Sequence, residues 1–538
     1  MFKHFKIYKE TAMVFKKKPR IIYNDDACSL VITPQPHTRE KISRAVDYLK
    51  GSQVDVLCWC VSCGDMAYTY PSRILENPYN RLLNQFSAAK QGQKLRKKLL
   101  VNTKDLTFSL FVKGIDYLPI LIKLTRQANI KFYGSFRMSD CHHKSEPHGL
   151  WAGEFWKAHQ NYRLWEVTDA QSYYNAAMDY SFAEVRNNRI NSIMEFASNY
   201  DVDGIELDFS RTQHTFPPSQ AWSKHGILTD FIKKIRTGLN SIARTRGREI
   251  GLIIRVPVMP EKLVNAGMDI EKWVKAKYMD VLVMTHFTNN YNLMVDDWQA
   301  LCRRNRVLFY PSVEAGPADN APAHNHVVPV KIDEVVKRAH AIALQMLSQG
   351  VDGIYMFNYP CHLFEHNWSK SEFNKLAAIP HKAGTIKTLK NVPRQYTFWK
   401  ELPIYVEPLR PAKCHQTIKF NILADDLKDK EAAISFRQIA EPFPHATRKY
   451  RQNPIVKPGV INYYLNGCQI DEKLIKRTKQ PAGKIPSGFT LKKHELLGIK
   501  LPASKLVNGE NSLAFYIPHF PRETDPYVYI YELVVDIF

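Results

Sequence analysis

The 538-residue chain lacks any run of about 18 apolar residues, so no membrane-spanning helix is predicted. Its first twenty residues, MFKHFKIYKETAMVFKKKPR, are basic and lack the continuous apolar stretch of a secretory leader. Localisation stays open between the cytoplasm and a secreted or periplasmic site reached through a leader absent from this sequence. No glycine-rich phosphate loop follows the first strand-like run, which argues against a dinucleotide-binding sheet. Acidic residues are in short supply: 52 Asp and Glu face 75 Lys and Arg, for a net charge of +23. Such an excess draws nucleic acid, acidic membrane surfaces or acidic polymers. No recognised nucleic-acid module accompanies it, so no nucleic-acid partner is predicted. The densest basic runs, QGQKLRKKLL and FKKKPR, read as solvated surface. The oligomeric state is not legible. Nine cysteines are present, and CWCVSC contains one Cys60-x-x-Cys63 pair. A zinc site needs a second pair, which is missing. Cys58 and Cys60 lie in an apolar run, where cysteine serves as a small buried side chain. The thiols are read as reduced, and no metal or cofactor is predicted.

What is present is alternation. Hydrophobic residues make up 45% of the chain, enough for a large core and more than one domain. Eight strand-length apolar runs recur: RIIYNDDA, VDVLCWC, IKFYGSF, VDGIELDF, EIGLIIRVP, MDVLVMTHF, VLFYPSVE and VDGIYMFNYP. Several are apolar throughout, as parallel strands covered on both faces should be. Helical spacing separates them, as in REKISRAVDYLKG and in DEVVKRAHAIALQMLSQG, which ends at a plausible C-cap, Gly350. VDGI occurs twice, at Val202–Ile205 and Val351–Ile354, and VDVL and MDVL open two further runs. Each reads as a turn–Asp–strand junction at strands two, four, six and eight. Eight strand–helix alternations predict an α/β fold, a (β/α)8 TIM barrel. The connections after Cys63 and after Asp140 are long. The second is rich in aromatics (Trp151, Phe155, Trp156, Tyr162, Trp165, Tyr173, Tyr174), which suit either sugar stacking or a satellite core. After about Pro380 the helical period fades. Short strand-like runs with Asn-Gly turns predict a smaller antiparallel β-sandwich. The expected division is residues 1–385 for the barrel and 386–538 for the β-sandwich.

In a barrel, the C-terminal strand ends form the active face. Those ends supply Asn24, Asp25 and Asp26 on strand one, then Arg137, Asp140, His142 and His143 on strand three. Strand four gives Glu206, Asp208 and Arg211. Arg255, His286, Glu314 and Asn358 end strands five to eight. Glu206 and Asp208, two apart on a strand, face one way. Asp208 is nearer the strand end and is the better catalytic candidate. Glu206, one layer deeper, needs a partner, with Arg211, Arg137 and Arg255 available. Two carboxyls across a barrel mouth are what glycoside hydrolysis requires, one donating a proton and one attacking or activating water. The bland alternative for Asp208 is a salt bridge to Arg211 that braces the strand end. Asp26, Arg137, Asp140, His142, Glu206, Arg211, Arg255, His286 and Asn358 are then the expected substrate-binding set. Three arginines and three histidines at one mouth would favour a uronate or sulfated sugar.

The stretch NAAMDYSFAEVRNNRINSIMEFASNYDVDGIELDFSR, with NDDAC, VDVLCWC and FRMSDCHH before it, resembles uncharacterised glycoside-hydrolase-like (β/α)8 barrels of polysaccharide-degrading bacteria. The resemblance covers roughly residues 20 to 380, and it implies a hydrolase acting on a carbohydrate. The trailing sandwich looks like an accessory domain of such enzymes, and the resemblance implies carbohydrate binding as its role. Chitinase-like family 18 barrels end their strand-four motif in an acid where this chain has Ser210, so their substrate-assisted mechanism is not expected. By analogy with retaining barrels, Asp208 is assigned as acid/base and Glu314 as nucleophile, with reversal and inversion open. Two other readings use the same residues. A metal-dependent polysaccharide deacetylase would recruit Asp25, Asp26, His142, His143 and His148. A barrel that binds carbohydrate without turnover is the other, with Ser210 as its motive.

Overall fold

The computed structural model describes residues 14–67, 70–80, 83, 103–141, 152–164, 174–285, 295–314, 331–365, 367–398, 404–406, 415–441, 461–485, 490–516 and 527–538. Eight parallel strands close into a barrel: β1 (Ile21–Asp25), β2 (Val54–Cys63), β3 (Lys131–Arg137), β4 (Gly204–Asp208), β5 (Gly251–Pro257), β6 (Val281–Thr285), β7 (Leu308–Glu314) and β8 (Ile354–Phe357). Each pairs with its sequence neighbour, and β1 pairs with both β2 and β8 to close the ring. All eight sequence runs became these strands. Their burial is nearly unbroken, because helices cover the outer face while side chains fill the inner one. Outer helices include α1 (Leu118–Gln127), α2 (Ala183–Asn199), α3 (His225–Arg246) and α4 (Asp296–Asn305). REKISRAVDYLKG departs from the expected helix. It forms a 3-10 turn at Arg39–Ser43 and a single α-turn at Arg44–Asp47. Ile42, Ala45, Val46 and Leu49 are nevertheless buried, so its apolar stripe faces the core as the spacing required.

The recurrent Asp has one structural cause. Asp55, Asp203, Asp280 and Asp352 each accept the backbone N–H of a residue at the start of the preceding strand. The donors are Arg20 at 2.7 Å, Phe132 at 3.0 Å, Leu252 at 2.7 Å and Phe309 at 2.9 Å. Three of these aspartates also return their own N–H to the carbonyl of the same residue, at 2.9, 2.9 and 3.2 Å. Each carboxylate further holds a cation: Arg20, Arg248, Arg236 and Lys18 respectively. Four strand pairs are thus clamped at the N-terminal rim by one device. The glycine of VDGI has its own reason. A Cβ on Gly204 would lie 2.0 Å from the Tyr133 ring, and one on Gly353 would lie 2.5 Å from the Tyr310 ring. The repeat therefore combines a clamp with room for a tyrosine from the preceding strand.

The chain divides into two compact units. One holds β1 to β6, Asp296–Ser312 and Asp352–Asn367; the other holds Val313–Val351 and Trp368–Phe538. Within the second, α5 (Ile332–Ser348) is followed by Gly350 at φ 78°, the left-handed residue expected there. Arg338 on α5 donates to Gln395 Oε1 at 2.6 Å. Two antiparallel sheets follow. One runs in the order Arg394–Phe398, Tyr527–Ile537, Glu431–Glu441, His494–Pro502 and Ile475–Gln480. The other runs His415–Ile422, Gly509–Tyr516, Asn462–Leu465 and Cys468–Gln469. Phe436 from the first meets Tyr463 and Phe515 from the second, with ring centroids 5.5 Å away in both cases. Asn466 and Gly467, both at positive φ, make the Asn-Gly hairpin that joins Leu465 to Cys468.

Asp280→Ala should lower barrel stability by about 2–3 kcal/mol, because it leaves the Leu252 N–H without its acceptor and Arg236 without its counter-charge. Asp280→Asn can still accept from the Leu252 N–H and should cost less. Urea unfolding of both variants measures this, and equal losses would assign the stabilisation to Arg236 alone.

Candidate active site

The pleat explains how β4 delivers two carboxyls. Glu206 pairs in register with Ser135 and Ile253, and Asp208 with Arg137 and Arg255. Glu206 and Asp208 therefore point inward in successive layers, and Arg255 enters beside the upper one. Asp208 is 2% exposed and Arg255 fully buried. The Arg255 guanidinium donates to both Asp208 oxygens, at 3.2 and 3.1 Å, and the Ser210 N–H donates to Oδ1 at 2.8 Å. Arg255 also lies 3.9 Å over the Phe357 ring and 5.5 Å from that of Tyr355. The cation on Asp208 is thus Arg255, where the sequence suggested Arg211. Arg211 sits half-buried just past the strand.

Glu206 takes none of the three arginines as a hydrogen-bond partner. Among the described residues neither of its oxygens has a well-formed hydrogen bond. Burial, and then the charge of Asp208, push its pKa up to about 7, against a weaker pull from Ser135, Tyr355 and Arg255. The deep carboxyl meets its desolvation cost by holding a proton rather than by pairing.

A second network spans β1 and β3. Arg137 donates to Asp140 at 2.9 Å and to Asp26, and both carboxylates are buried. Asp25 faces away from this pair and accepts from the Ser29 hydroxyl at 2.5 Å. Burial raises it to about 7. Ala27 and Asn358, which follow β1 and β8, both adopt left-handed backbone, φ 65° and 52°. Asparagine tolerates this conformation and alanine does so less readily. The Cys28 thiol reaches the Asn358 Oδ1 at 3.9 Å. Glu314 is the last residue of β7 and is buried. His142, His143, His148 and His286 lie outside the described residues.

The structure brings Asp26, Arg137 and Asp140 together, and likewise Asp208 and Arg255. The expectation of a cationic mouth is altered by these pairs, since two of its three arginines are already matched by three carboxylates. Tyr355, Phe357, Ser135 and Thr285 escaped the sequence reading. Tyr355 and Phe357, two apart on β8, share one face of the strand. Of the aromatic-rich connection, Trp156 is buried with its N–H on the Ala176 carbonyl at 2.8 Å, while the partly exposed Tyr162 stacks on Phe182. Among the described residues no group of three His, Cys, Asp or Glu side chains could hold a metal ion. None of their helices is long and apolar enough to cross a membrane.

Several buried polar atoms at this end of the barrel have no hydrogen-bond partner among the described residues: Asn24 Oδ1, Asp25 Oδ1, Asp26 Oδ1, Ser139 Oγ, Ser210 Oγ, Arg137 Nε and both Glu206 oxygens. Such groups in folded proteins are ordinarily met by protein or by ordered water. No protein-family model and no curated protein matches the sequence. Among solved structures, the chain is similar to alpha-L-fucosidase isoenzyme 2 from Paenibacillus thiaminolyticus, 10% identical with a TM-score of 0.41. That match covers 70% of this chain and 51% of the other, so this chain spans about half that protein's length. It is also similar to a glycoside hydrolase family 18 N-acetylglucosaminidase from Paenibacillus barengoltzii, 11% identical, covering 68% of this chain and 99% of that one, TM-score 0.34. An alpha-L-fucosidase from Vibrio sp. strain EJY3 is 9% identical, covers 96% of each chain and has a TM-score of 0.34.

The pKa of Glu206 has a consequence for stability. Raised from 4.5 to about 7, it makes the native state hold a proton that the unfolded chain has released between those values. Its contribution therefore falls as pH rises through that window and is level above it. Glu206→Gln should be more stable than wild type above pH 7, and the gap should close on acidification toward 4.5. Thermal unfolding at several pH values checks this; a gap independent of pH would show that Glu206 does not titrate in the window. Asp25 adds its own slope, which is common to both proteins.

Proposed function

We propose that the protein is a glycoside hydrolase whose barrel mouth cleaves an oligo- or polysaccharide. The observation that carries this is the pair of successive carboxyls on β4 held in different surroundings. Asp208 is paired through both oxygens with the buried Arg255, while burial and the neighbouring Asp208 push Glu206 beneath it up to about 7. Environments that separate two titratable groups in this way are a mark of acid–base sites.

The pairing bears on the roles. A carboxylate clamped by a guanidinium favours its charged form, which suits a nucleophile or a general base and disfavours a proton donor. We therefore give Asp208 the attacking or water-activating role, the reverse of the assignment by analogy. For the proton donor we carry Glu314, on chain evidence alone, as the acidic residue that ends β7. In the first step the donor would protonate the glycosidic oxygen as that bond breaks. Asp208, or a water it deprotonates, would form the new bond to the anomeric carbon. Glu206 would act from below, its protonation setting how much negative charge Asp208 shares with Arg255. The residues 386–538 would be accessory to this barrel. The argument for an anionic sugar loses Arg137 and Arg255 to their carboxylates, so neutral glycans are the expected substrates.

The test is reducing-end release from a panel of neutral, uronate and sulfated glycans. Turnover is expected on a neutral glycan, and should drop roughly 10^3-fold or more in Asp208→Asn. Glu314→Gln should lose most activity on natural glycans but keep it on substrates with a good leaving group, which need no acid. If Asp208 is the nucleophile, azide should restore turnover of an activated aryl glycoside to Asp208→Gly. Absence of turnover on every glycan, with binding retained, would replace this reading with a carbohydrate-binding barrel.

A further inference from the structure

The barrel mouth also carries a thiol pair that the glycosidase reading does not use. Cys60 and Cys63 both belong to β2. In an unbroken strand, residues three apart point to opposite faces. Here the pairing of β2 with β3 skips a residue: Cys60 pairs with Ser135, Ser62 with Phe136 and Cys63 with Arg137. Val61 is the extra residue of a bulge. Ser135 and Arg137 share a face, so the bulge turns Cys63 to the side that Cys60 occupies. The two Sγ atoms lie 4.0 Å apart. A tight turn follows and holds the arrangement. Gly64 adopts φ 61°, its N–H donates to the Arg137 carbonyl at 3.0 Å, and the Ser62 hydroxyl donates to the Gly64 carbonyl at 3.1 Å. Cys60 is buried and Cys63 partly exposed. The neighbouring Cys63 thiol, with burial, pushes Cys60 up, while Arg137 pulls the other way. A reagent entering the mouth therefore meets Cys63 first.

We propose that Cys60 and Cys63 form a reversible dithiol–disulfide site that reacts with low-molecular-weight disulfides. Cys63, as thiolate, attacks one sulfur of the reagent; the reagent S–S bond breaks, and one reagent thiol leaves with the proton. Cys60 then gives up its proton and attacks Cys63 Sγ, releasing the second reagent thiol. The protein loses two hydrogens and the reagent is reduced to two thiols. Closure needs the sulfurs to approach from 4.0 Å to about 2 Å, within reach of side chains already on one face. The site adjoins Arg137, whose guanidinium feels both sulfurs along with Asp26 and Asp140. Oxidation would thus act on the strand beside that network, whatever the barrel's substrate.

The experiment treats the full chain with oxidised glutathione, denatures it, blocks remaining thiols with N-ethylmaleimide and weighs the peptides. In wild type, the peptide containing Cys58, Cys60 and Cys63 should be two hydrogens lighter and alkylated once, and dithiothreitol should restore three alkylations. In Cys60→Ser, Cys63 should retain a glutathione adduct; in Cys63→Ser, Cys60 should carry none. The exposed Cys468 serves as the control for reagent activity. A lasting glutathione adduct on wild-type Cys63, or three alkylations in wild type while Cys468 is glutathionylated, would overturn the proposal.

Discussion

A guanidinium with no exposed surface sits inside a closed ring of strands, and the upper half of the barrel is arranged around it. Arg255 cannot shed its charge, so burial would cost several kcal/mol without a matched partner. Asp208 supplies that partner through both oxygens, and the Tyr355 and Phe357 rings cover the guanidinium with π-electron faces. One consequence falls on Glu206. It lies one layer below on the same strand, with the nearest cation already committed and an anion above it. Burial, with that anion above it, pushes Glu206 up to about 7. The contrasting surroundings of the β4 carboxyls are therefore products of one ion pair and the two-residue pleat of a strand.

The two ends of the barrel use carboxylates in opposite ways. At the N-terminal rim, four aspartates are saturated, each with a backbone N–H and a cation. Such groups have nothing left to offer a ligand, and their worth is in fixing strand register. At the C-terminal end, polar atoms of Asn24, Asp26, Ser139, Ser210 and Glu206 are buried with no hydrogen-bond partner among the described residues. The contrast follows the usual division of the barrel into a stability face and a chemical face.

This division also marks what could be read from the sequence. The eight strands were legible because burial on both faces leaves short apolar runs, and eight of them alternate with helical spacing. The Asp of VDGI, VDVL and MDVL was legible as a repeat, and its cause is local to adjacent strands. The Asn466-Gly467 hairpin was legible because few residue pairs tolerate two positive φ values. Partnerships across the ring were not. Nothing along the chain tells Asp208 to choose Arg255, 47 residues away, over Arg211, three residues away. Cross-strand register decides that, and register is a property of the closed sheet. The bulge at Val61 was hidden for the same reason: CWCVSC looks like a regular strand until β3 is laid beside it.

The charge of the chain illustrates the limit of composition as a guide to a site. A net +23 suggested a cationic mouth and an anionic sugar. Yet the described ion pairs at the mouth match Arg137 and Arg255 with Asp26, Asp140 and Asp208, so carboxylates outnumber guanidiniums there. Charges in solvent are screened over about 8–10 Å and act weakly on a buried site. Inside the barrel each cation is admitted only with its counter-charge, because the low dielectric leaves no other way to hold it. The sign of the surface field bears on what approaches the protein. What a site can recognise depends instead on the hydrogen-bonding capacity left over after its interior charges have paired.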